Sequence, residues 1–241
     1  MRAVARTGGL SELAADRRAA LRAEGEGLAA LDDVEFGVRL LANTPTHEGR
    51  DPAVLRRWAA AATGFGAELA ATHGPGQHHG HNSPGPGQHR VHHTSGPGPH
   101  RGRSPAAVTI RESTGGLHPD RLLLARYRTR PTPTVELFTD TLALAEAAVQ
   151  LLGWQAWFPP GTARAAAVAH EKAHDLLHHD KAARAALKCR LGHTVWRLPA
   201  HVAGAGELVA HAAAQATLGL PRTPLLLTAA LARAAETLRE N

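Results

Sequence analysis

A low-complexity segment, residues 72–105, constrains the fold of this 241-residue chain more than any other feature. The pentapeptide Gly-Pro-Gly-Gln-His occurs at residues 74–78 and 85–89, and a degenerate copy follows at 96–100. Because the segment has almost no apolar side chains, it cannot offset the entropy that ordering would cost. We therefore predict a disordered His/Gly/Pro-rich linker, which separates an N-terminal helical segment (residues 1–71) from a C-terminal domain (residues 106–241).

Histidine is concentrated in the same segment, which holds eight of the chain's 17 histidines, including the neighbours His78 and His79. Such tracts can bind zinc, nickel or copper weakly at several places. We favour the simpler interpretation of a repeat-expanded linker whose affinity for metal is incidental. Extra metal binding over residues 73–100 is therefore expected to be weak, and histidines elsewhere must be judged on their own spacing.

The spacing of apolar residues outside the linker predicts a mostly helical α+β fold. Helices are expected between residues 11 and 71, with Ser11 as a candidate N-cap and a break at residues 43–51. Strands are predicted at residues 108–110, 122–127 and 135–138. Further helices are predicted at residues 139–152, 163–179, 206–218 and 223–239, with Thr139, Asp140 and Thr162 as capping residues and a polar connector before residue 206.

Charge and cysteine content limit the classes of partner and the compartment. The formal net charge is +6 and the pI about 10.6, but most basic residues alternate with acidic ones along the predicted helices, so nucleic acid is not favoured. Cys189 is the only cysteine, which excludes an internal disulfide and favours a reducing compartment. No leader-like or membrane-spanning run is apparent, so we expect a soluble, cytoplasmic protein without a membrane partner.

His170, Glu171 and His174 form the pattern H-E-x-x-H within a predicted helix. Residues four apart lie on one helical face, so both imidazoles can direct a nitrogen at one ion about 2.0–2.1 Å away. A carboxylate beside the first histidine can accept the proton of a metal-bound water. We therefore predict one zinc ion per chain, held by His170 and His174, with Glu171 as the catalytic base. The competing interpretation is the polar face of a surface helix.

Catalytic zinc usually takes three protein ligands, and Glu207 is the predicted third one. It lies 33 positions beyond His174, near the start of an alanine-rich helix. The alternatives are that Glu207 only complements the helix dipole, or that His211, one turn further on, is the ligand or orients Glu207. His178 is expected at the edge of the site or in solvent, and Asp175 is expected either to hold a ligand imidazole or to lie on the surface.

The run A-V-A-H-E-K-A-H-D-L-L-H at residues 167–178 resembles the active-site helix of gluzincin metallopeptidases. The resemblance is strongest to the short HExxH domains of bacterial and mobile-element regulators and antirestriction-type proteins. Residues 207–210 are similar to the second helix of that family, and the likeness covers about residues 135–220. It implies a zincin-like minimal domain that hydrolyses peptide bonds in a protein or peptide substrate. Residues 135–138 would then be the edge strand along which substrate aligns.

The resemblance does not identify a group that stabilises the oxyanion, since Tyr127, the only tyrosine, lies upstream of the matched segment. His193, His201 and His211 are candidates for that role.

Two other functions remain open. One is a non-catalytic metal-binding or regulatory protein on a zincin-like fold. The other is a di-metal carboxylate bundle, in which Glu136 or Glu146 would join Glu207 and the E-x-x-H of Glu171 and His174. That bundle requires a second E-x-x-H, and Glu207 and His211 are four residues apart rather than three. The substrate and the oligomeric state cannot be predicted from the sequence.

Overall fold

Helices account for most of the chain that the structure describes. The computed structural model describes residues 9–73, 108–118 and 121–240. The predicted linker, apart from its first two residues, and nearly all of its expected weak metal-binding tract lie outside the described residues. The sequence prediction of a mostly helical α+β fold is confirmed.

The described residues form eight α-helices. In chain order they are α1 (Ala15–Ala29), α2 (Asp33–Ala42), α3 (Pro52–His73), α4 (Thr139–Leu152), α5 (Thr162–His179), α6 (Lys181–Leu191), α7 (Ala205–Leu218) and α8 (Pro224–Arg239). None of them is long and apolar enough to cross a membrane.

The strands are short. They are β1 (Thr109–Ser113), β2 (Leu117–His118), β3 (Arg121–Leu122), β4 (Ala125–Arg128), β5 (Thr134–Phe138), β6 (Thr194–Val195) and β7 (Leu198–Pro199). The largest sheet has the order β1-β5-β4, with β5 parallel to β1 and antiparallel to β4. β2 pairs with β3 and β6 with β7.

The expectation that residues 135–138 form an edge strand is wrong. These residues lie in β5, the central strand, and all four are buried. A strand that is buried on both faces carries apolar side chains on each of them, which fits Val135, Leu137 and Phe138, while the intervening Glu136 is paired with Arg126. The edge strand next to α5 is instead β4.

Several local predictions differ from the structure. The predicted caps Thr139 and Thr162 are the first residues of α4 and α5, and neither helix has a side-chain cap. Ser11 lies in a 3-10 turn and α1 begins at Ala15. Asp140 does not cap its own helix in the expected way, because its carboxylate accepts hydrogen bonds from the backbone N–H groups of residues 115–117. The polar connector contains the helix α6, whose first turn is capped by Asp180, which accepts from the N–H groups of Ala182 and Ala183.

Two apolar clusters hold the helices together. The first joins α1, α4 and α8 to the sheet around Leu137 and Leu231, and the second joins α2, α3, α6 and α7 around Leu41 and Val209. The N-terminal helices contribute to both clusters, so they pack against the residues that follow the linker. At Gly66 of α3 a Cβ atom would lie 2.4 Å from the carbonyl oxygen of Val209, so glycine permits the close approach of α3 and α7.

Candidate metal centre

Small side chains let α5 and α7 approach each other closely. Ala173 of α5 packs with Ala210 and Ala213 of α7 in a small buried cluster, and these residues are 4%, 0% and 5% exposed. The H-E-x-x-H residues lie on α5 around Ala173, and Glu207 lies in the first turn of α7. The alanine contact therefore positions the two halves of the predicted site.

The three predicted ligands converge. Nε2 of His174 lies 3.0 Å from Nε2 of His170 and 3.1 Å from Oε1 of Glu207. Nε2 of His170 lies 3.4 Å from Oε2 of Glu207. Within the described residues, this is the one cluster of three or more His, Cys, Asp or Glu residues whose ligand atoms all lie within 4.8 Å of one another.

These distances fit a tetrahedral zinc ion. Donor atoms about 2.1 Å from such an ion stand about 3.4 Å from one another, and the separations in the cluster are 3.0 to 3.4 Å. Two imidazoles and one carboxylate are also a donor set of catalytic zinc sites, which leave the fourth position open. The side chain of Glu207 is 50% exposed, so the cluster is open to one side.

Electrostatics couple Glu207 to both histidines. Hydrogen bonds from His170 and then His174 hold the pKa of Glu207 well below its usual range, although burial opposes this. For His174, burial works against protonation, but the hydrogen bond and charge of Glu207, with the charge of Glu171, outweigh it and raise its pKa. Without metal, Glu207 therefore favours protonation of His174, and a metal ion would compete with that proton.

His211 lies beside the cluster without joining it. Its ring centroid is 4.4 Å from that of His170, and burial, followed by the charge of His170, keeps its pKa well below the usual value. A neutral His211 thus packs against a predicted ligand, while Glu207 provides the third donor in this arrangement. The buried Nδ1 atoms of His170 and His211 have no hydrogen-bond partner within the described residues.

The site opens into a cleft of about 490 Å³ between α5, β4 and α8. His170, Glu171, His174 and Glu207 line it, and so does Tyr127 of β4. Burial and, next, a hydrogen bond to Asp175 raise the pKa of Tyr127 to about 12, so its hydroxyl keeps its proton at physiological pH. Sequence reasoning placed Tyr127 outside the site; only the pairing of β4 with β5, which is a non-local feature, places it in the cleft.

The cleft walls beyond the predicted ligands are mostly apolar. Ala163, Ala166 and Ala167 of α5 face Leu227 and Leu231 of α8 across it. Lys172 lies on another face of α5 and lines a separate groove with Leu69 and Ala213. The lysine next to Glu171 in sequence is therefore directed away from the predicted base.

The other candidates of the sequence analysis lie elsewhere. Asp175 contacts His179 at 2.9 Å and Tyr127, rather than a ligand imidazole. The ring of His178 packs on that of His179, and the ring of His193 packs edge-on against Trp58. His201 is exposed and is not among the residues that line the cleft.

The carboxylates required by a di-metal bundle have other partners. Glu136 binds Arg126 at 2.6 Å, and Glu146 accepts a hydrogen bond from the N–H of Gly161. Neither residue belongs to the cluster of metal-ligating groups found in the described residues. The geometry therefore favours a single-ion site.

Comparison with known proteins found no related protein. No family model matches the chain, and no curated protein or solved structure matches it at a significant level.

Proposed function

We propose that this chain is a zinc-dependent metallopeptidase that hydrolyses peptide bonds in a protein or peptide substrate. The observation that carries the proposal is the convergence of His170, His174 and Glu207 at the floor of an open cleft. We also propose that the α+β fold is of the zincin-like minimal type. The lone Cys189 supports a reducing, cytoplasmic compartment.

In this proposal the three ligands hold one zinc ion, and Glu171 performs the proton transfers. Zinc, when bound, acidifies a water molecule and polarises the scissile carbonyl. The Glu171 carboxylate accepts the proton of the attacking water and then delivers it to the departing nitrogen. Glu171 lines the cleft and its charge acts on His174, which supports this role.

Strand β4 and Tyr127 complete the proposed active site. As an edge strand, β4 has outer backbone groups without a strand partner among the described residues, so an extended peptide can pair with them. The Tyr127 hydroxyl stays protonated and lines the same cleft, where its single proton is donated to Asp175. Our candidate role for it is to exchange this hydrogen bond for one to the oxyanion when substrate binds.

The open cleft favours a peptidase over a purely structural or regulatory metal protein. Structural zinc sites are usually closed by four protein ligands, whereas this cluster has three and a carboxylate beside them. The apolar walls formed by Ala167, Leu227 and Leu231 provide space for substrate side chains.

The test requires a background in which the linker binds little metal. The full chain is therefore prepared with the linker histidines at positions 78, 79, 81, 89, 92, 93 and 100 replaced by glutamine, which keeps its length. Zinc per chain and cleavage of a mixture of fluorogenic peptides are then compared among this protein and three further variants. They are Glu171→Gln, His174→Ala and, as a control on the same helix, His178→Ala.

The proposal predicts a different result for each variant. Glu171→Gln retains one zinc ion but loses cleavage, His174→Ala loses both, and His178→Ala resembles the parent protein. Unchanged zinc content in His174→Ala would exclude the site. Full cleavage by Glu171→Gln would exclude the catalytic role of Glu171, and zinc binding without cleavage in the parent protein would favour the non-catalytic metal protein.

A further inference from the structure

A short hairpin between α6 and α7 carries most of the exposed large apolar side chains of the described residues. β6 pairs antiparallel with β7, and Trp196 and Arg197 form the turn. Trp196 is 93% exposed, Leu198 70% and Val195 48%. One other large apolar side chain in the described part of the chain, Ile110, is similarly exposed. A cluster of such residues on a surface marks a site of interaction.

The backbone presents these side chains on a defined turn. Trp196 and Arg197 have φ angles of 51° and 65°, as the central residues of a two-residue type I′ turn require. Asparagine and glycine usually occupy those positions, because positive φ is unfavourable for bulky side chains. The hairpin base is fixed by a 2.8 Å hydrogen bond from the Ala200 N–H to the His193 carbonyl, and by the His193 ring against Trp58.

The chain segment that follows Asp180 and contains the hairpin is rich in basic residues. Residues 181–206 contain no aspartate or glutamate, but five lysines and arginines. Glu68 of α3 neutralises Arg190, whereas Lys181, Lys188 and Arg197 form no ion pair with the described residues. The tip therefore combines apolar side chains with the cation of Arg197, and α6, which leads into the hairpin, carries further cations without an ion pair in the described residues.

We propose that this hairpin docks the protein on an anionic bilayer surface. Trp196 and Leu198 enter the interfacial region, where tryptophan is favoured because its ring is amphipathic. Arg197 and the cations of α6 lie near the headgroup phosphates, and each adds attraction to anionic lipid. This surface is separate from the proposed metal centre, since no hairpin residue is among those that line the cleft.

Size and shape favour a lipid surface over another macromolecule. A specific protein interface buries about 800 Å² on each partner, far more than the tip of a hairpin with a two-residue turn offers. Binding to a bilayer requires no complementary surface, and its strength follows buried apolar area and charge. Nucleic acid would use the cations and the tryptophan ring, but not the aliphatic Val195 and Leu198. The proposal departs from the expectation of no membrane partner, because that expectation rested on the lack of a spanning run and the hairpin would bind only the surface of a bilayer.

The experiment measures sedimentation of the full chain with vesicles. One set contains phosphatidylcholine alone, and the other contains phosphatidylcholine and phosphatidylserine at about 2:1. The variants are Trp196→Ser with Leu198→Ser, and Lys188→Gln with Arg197→Gln. The matched controls are Ile110→Ser, the remaining exposed large apolar residue, and Arg57→Gln on α3. Circular dichroism and zinc content verify that each variant is folded.

We expect the parent protein to bind the anionic vesicles and to be released by raised salt. The apolar double variant should bind at least about tenfold more weakly, the charge variant should lose its preference for anionic lipid, and both controls should bind like the parent. Absence of binding to anionic vesicles, or equal binding by the apolar double variant, would overturn the proposal. Trp196-dependent binding of a DNA oligonucleotide, or Trp196-dependent self-association, in place of vesicle binding would also overturn it.

Discussion

Among single residues, Glu207 has the most specific role, because its carboxylate faces both histidines of α5. Replacing it with glutamine keeps the size of the side chain but removes the charge that the ion requires. We expect the zinc affinity of Glu207→Gln to fall by more than about 100-fold, since even residues that only orient ligands contribute about 10- to 100-fold. Competition with a chromophoric chelator measures this, and the exposed Glu48→Gln is the control; equal affinities would exclude Glu207 as a ligand.

Tyr127→Phe tests the donor on the edge strand. Loss of a hydrogen bond to a developing oxyanion lowers kcat by about 10²- to 10³-fold, while zinc content should not change because Tyr127 is not a ligand. Because its pKa is about 12, ionisation of Tyr127 should not affect the pH dependence of kcat of the parent protein below about pH 10. A kcat close to that of the parent would exclude the role, and loss of zinc would assign Tyr127 to support of α5.

The stability of the metal-free protein should depend on the proton shared by His174 and Glu207. The pKa of His174 is raised in the folded chain, so its contribution to stability is present below the unfolded pKa of about 6.5 and is lost as pH rises through the folded pKa. Thermal unfolding in chelator should therefore show that the Tm advantage of the parent over Glu207→Gln shrinks as the pH rises above about 6.5. An advantage that grows with pH would contradict this coupling.

The sequence predicted those residues of the site that lie close together along the chain. His170, Glu171 and His174 lie within two turns of one helix, and the period of the helix places the two histidines on one face. Glu207 was chosen from several candidates because it begins an apolar helix. Tyr127 could not be found in this way, since its place in the cleft depends on strand pairing between residues that are distant in sequence.

At the scale of elements, the contact of α3 with α7 supports the first turn that carries Glu207. A methyl group at Gly66 would lie 2.4 Å from the Val209 carbonyl oxygen and 2.8 Å from the Cβ of Ala212. We expect Gly66→Ala to destabilise the protein by about 1–3 kcal/mol, as overpacking does, and to weaken zinc binding by displacing α7. Chemical denaturation and chelator competition measure the two effects.

Gly64→Ala is the matched control on the same helix. Its Cβ would meet only the end of the Arg190 side chain, at 3.5 Å. Because alanine is the better helix former, this variant should be more stable by up to about 1 kcal/mol. If Gly66→Ala were as stable as Gly64→Ala, the close packing of α3 on α7 would not support the site.

The elements differed in how well the sequence predicted them. Helices α4, α7 and α8 carry continuous apolar stripes, and their predicted bounds agree with the structure to within one residue. Helix α6 was read as a connector because its buried side chains are only Leu187 and Leu191, and its other apolar residues are alanines and one cysteine interspersed with lysine and arginine. The order of the sheet was not predictable, because β1 pairs with β5 although β2, β3 and β4 lie between them in the sequence.

At the scale of the whole molecule, a metal ion held by His170, His174 and Glu207 would connect α5 to α7, and thereby the two apolar clusters. An ion that binds only the folded chain stabilises it by about 4 kcal/mol when free zinc is about 1,000 times the Kd. We therefore expect zinc to raise the Tm of the full chain, and His174→Ala to abolish this shift.

The histidine-rich tract provides the decisive comparison for that prediction. The tract contains none of the predicted ligands His170, His174 and Glu207. Replacing its histidines at positions 78–100 with glutamine should therefore lower total metal uptake but leave the Tm shift unchanged. Calorimetry in matched zinc buffers, with metal analysis of the same samples, separates the two quantities. A Tm shift that disappears with the tract histidines, or that persists in His174→Ala, would assign stabilisation by zinc to residues other than the α5–α7 site.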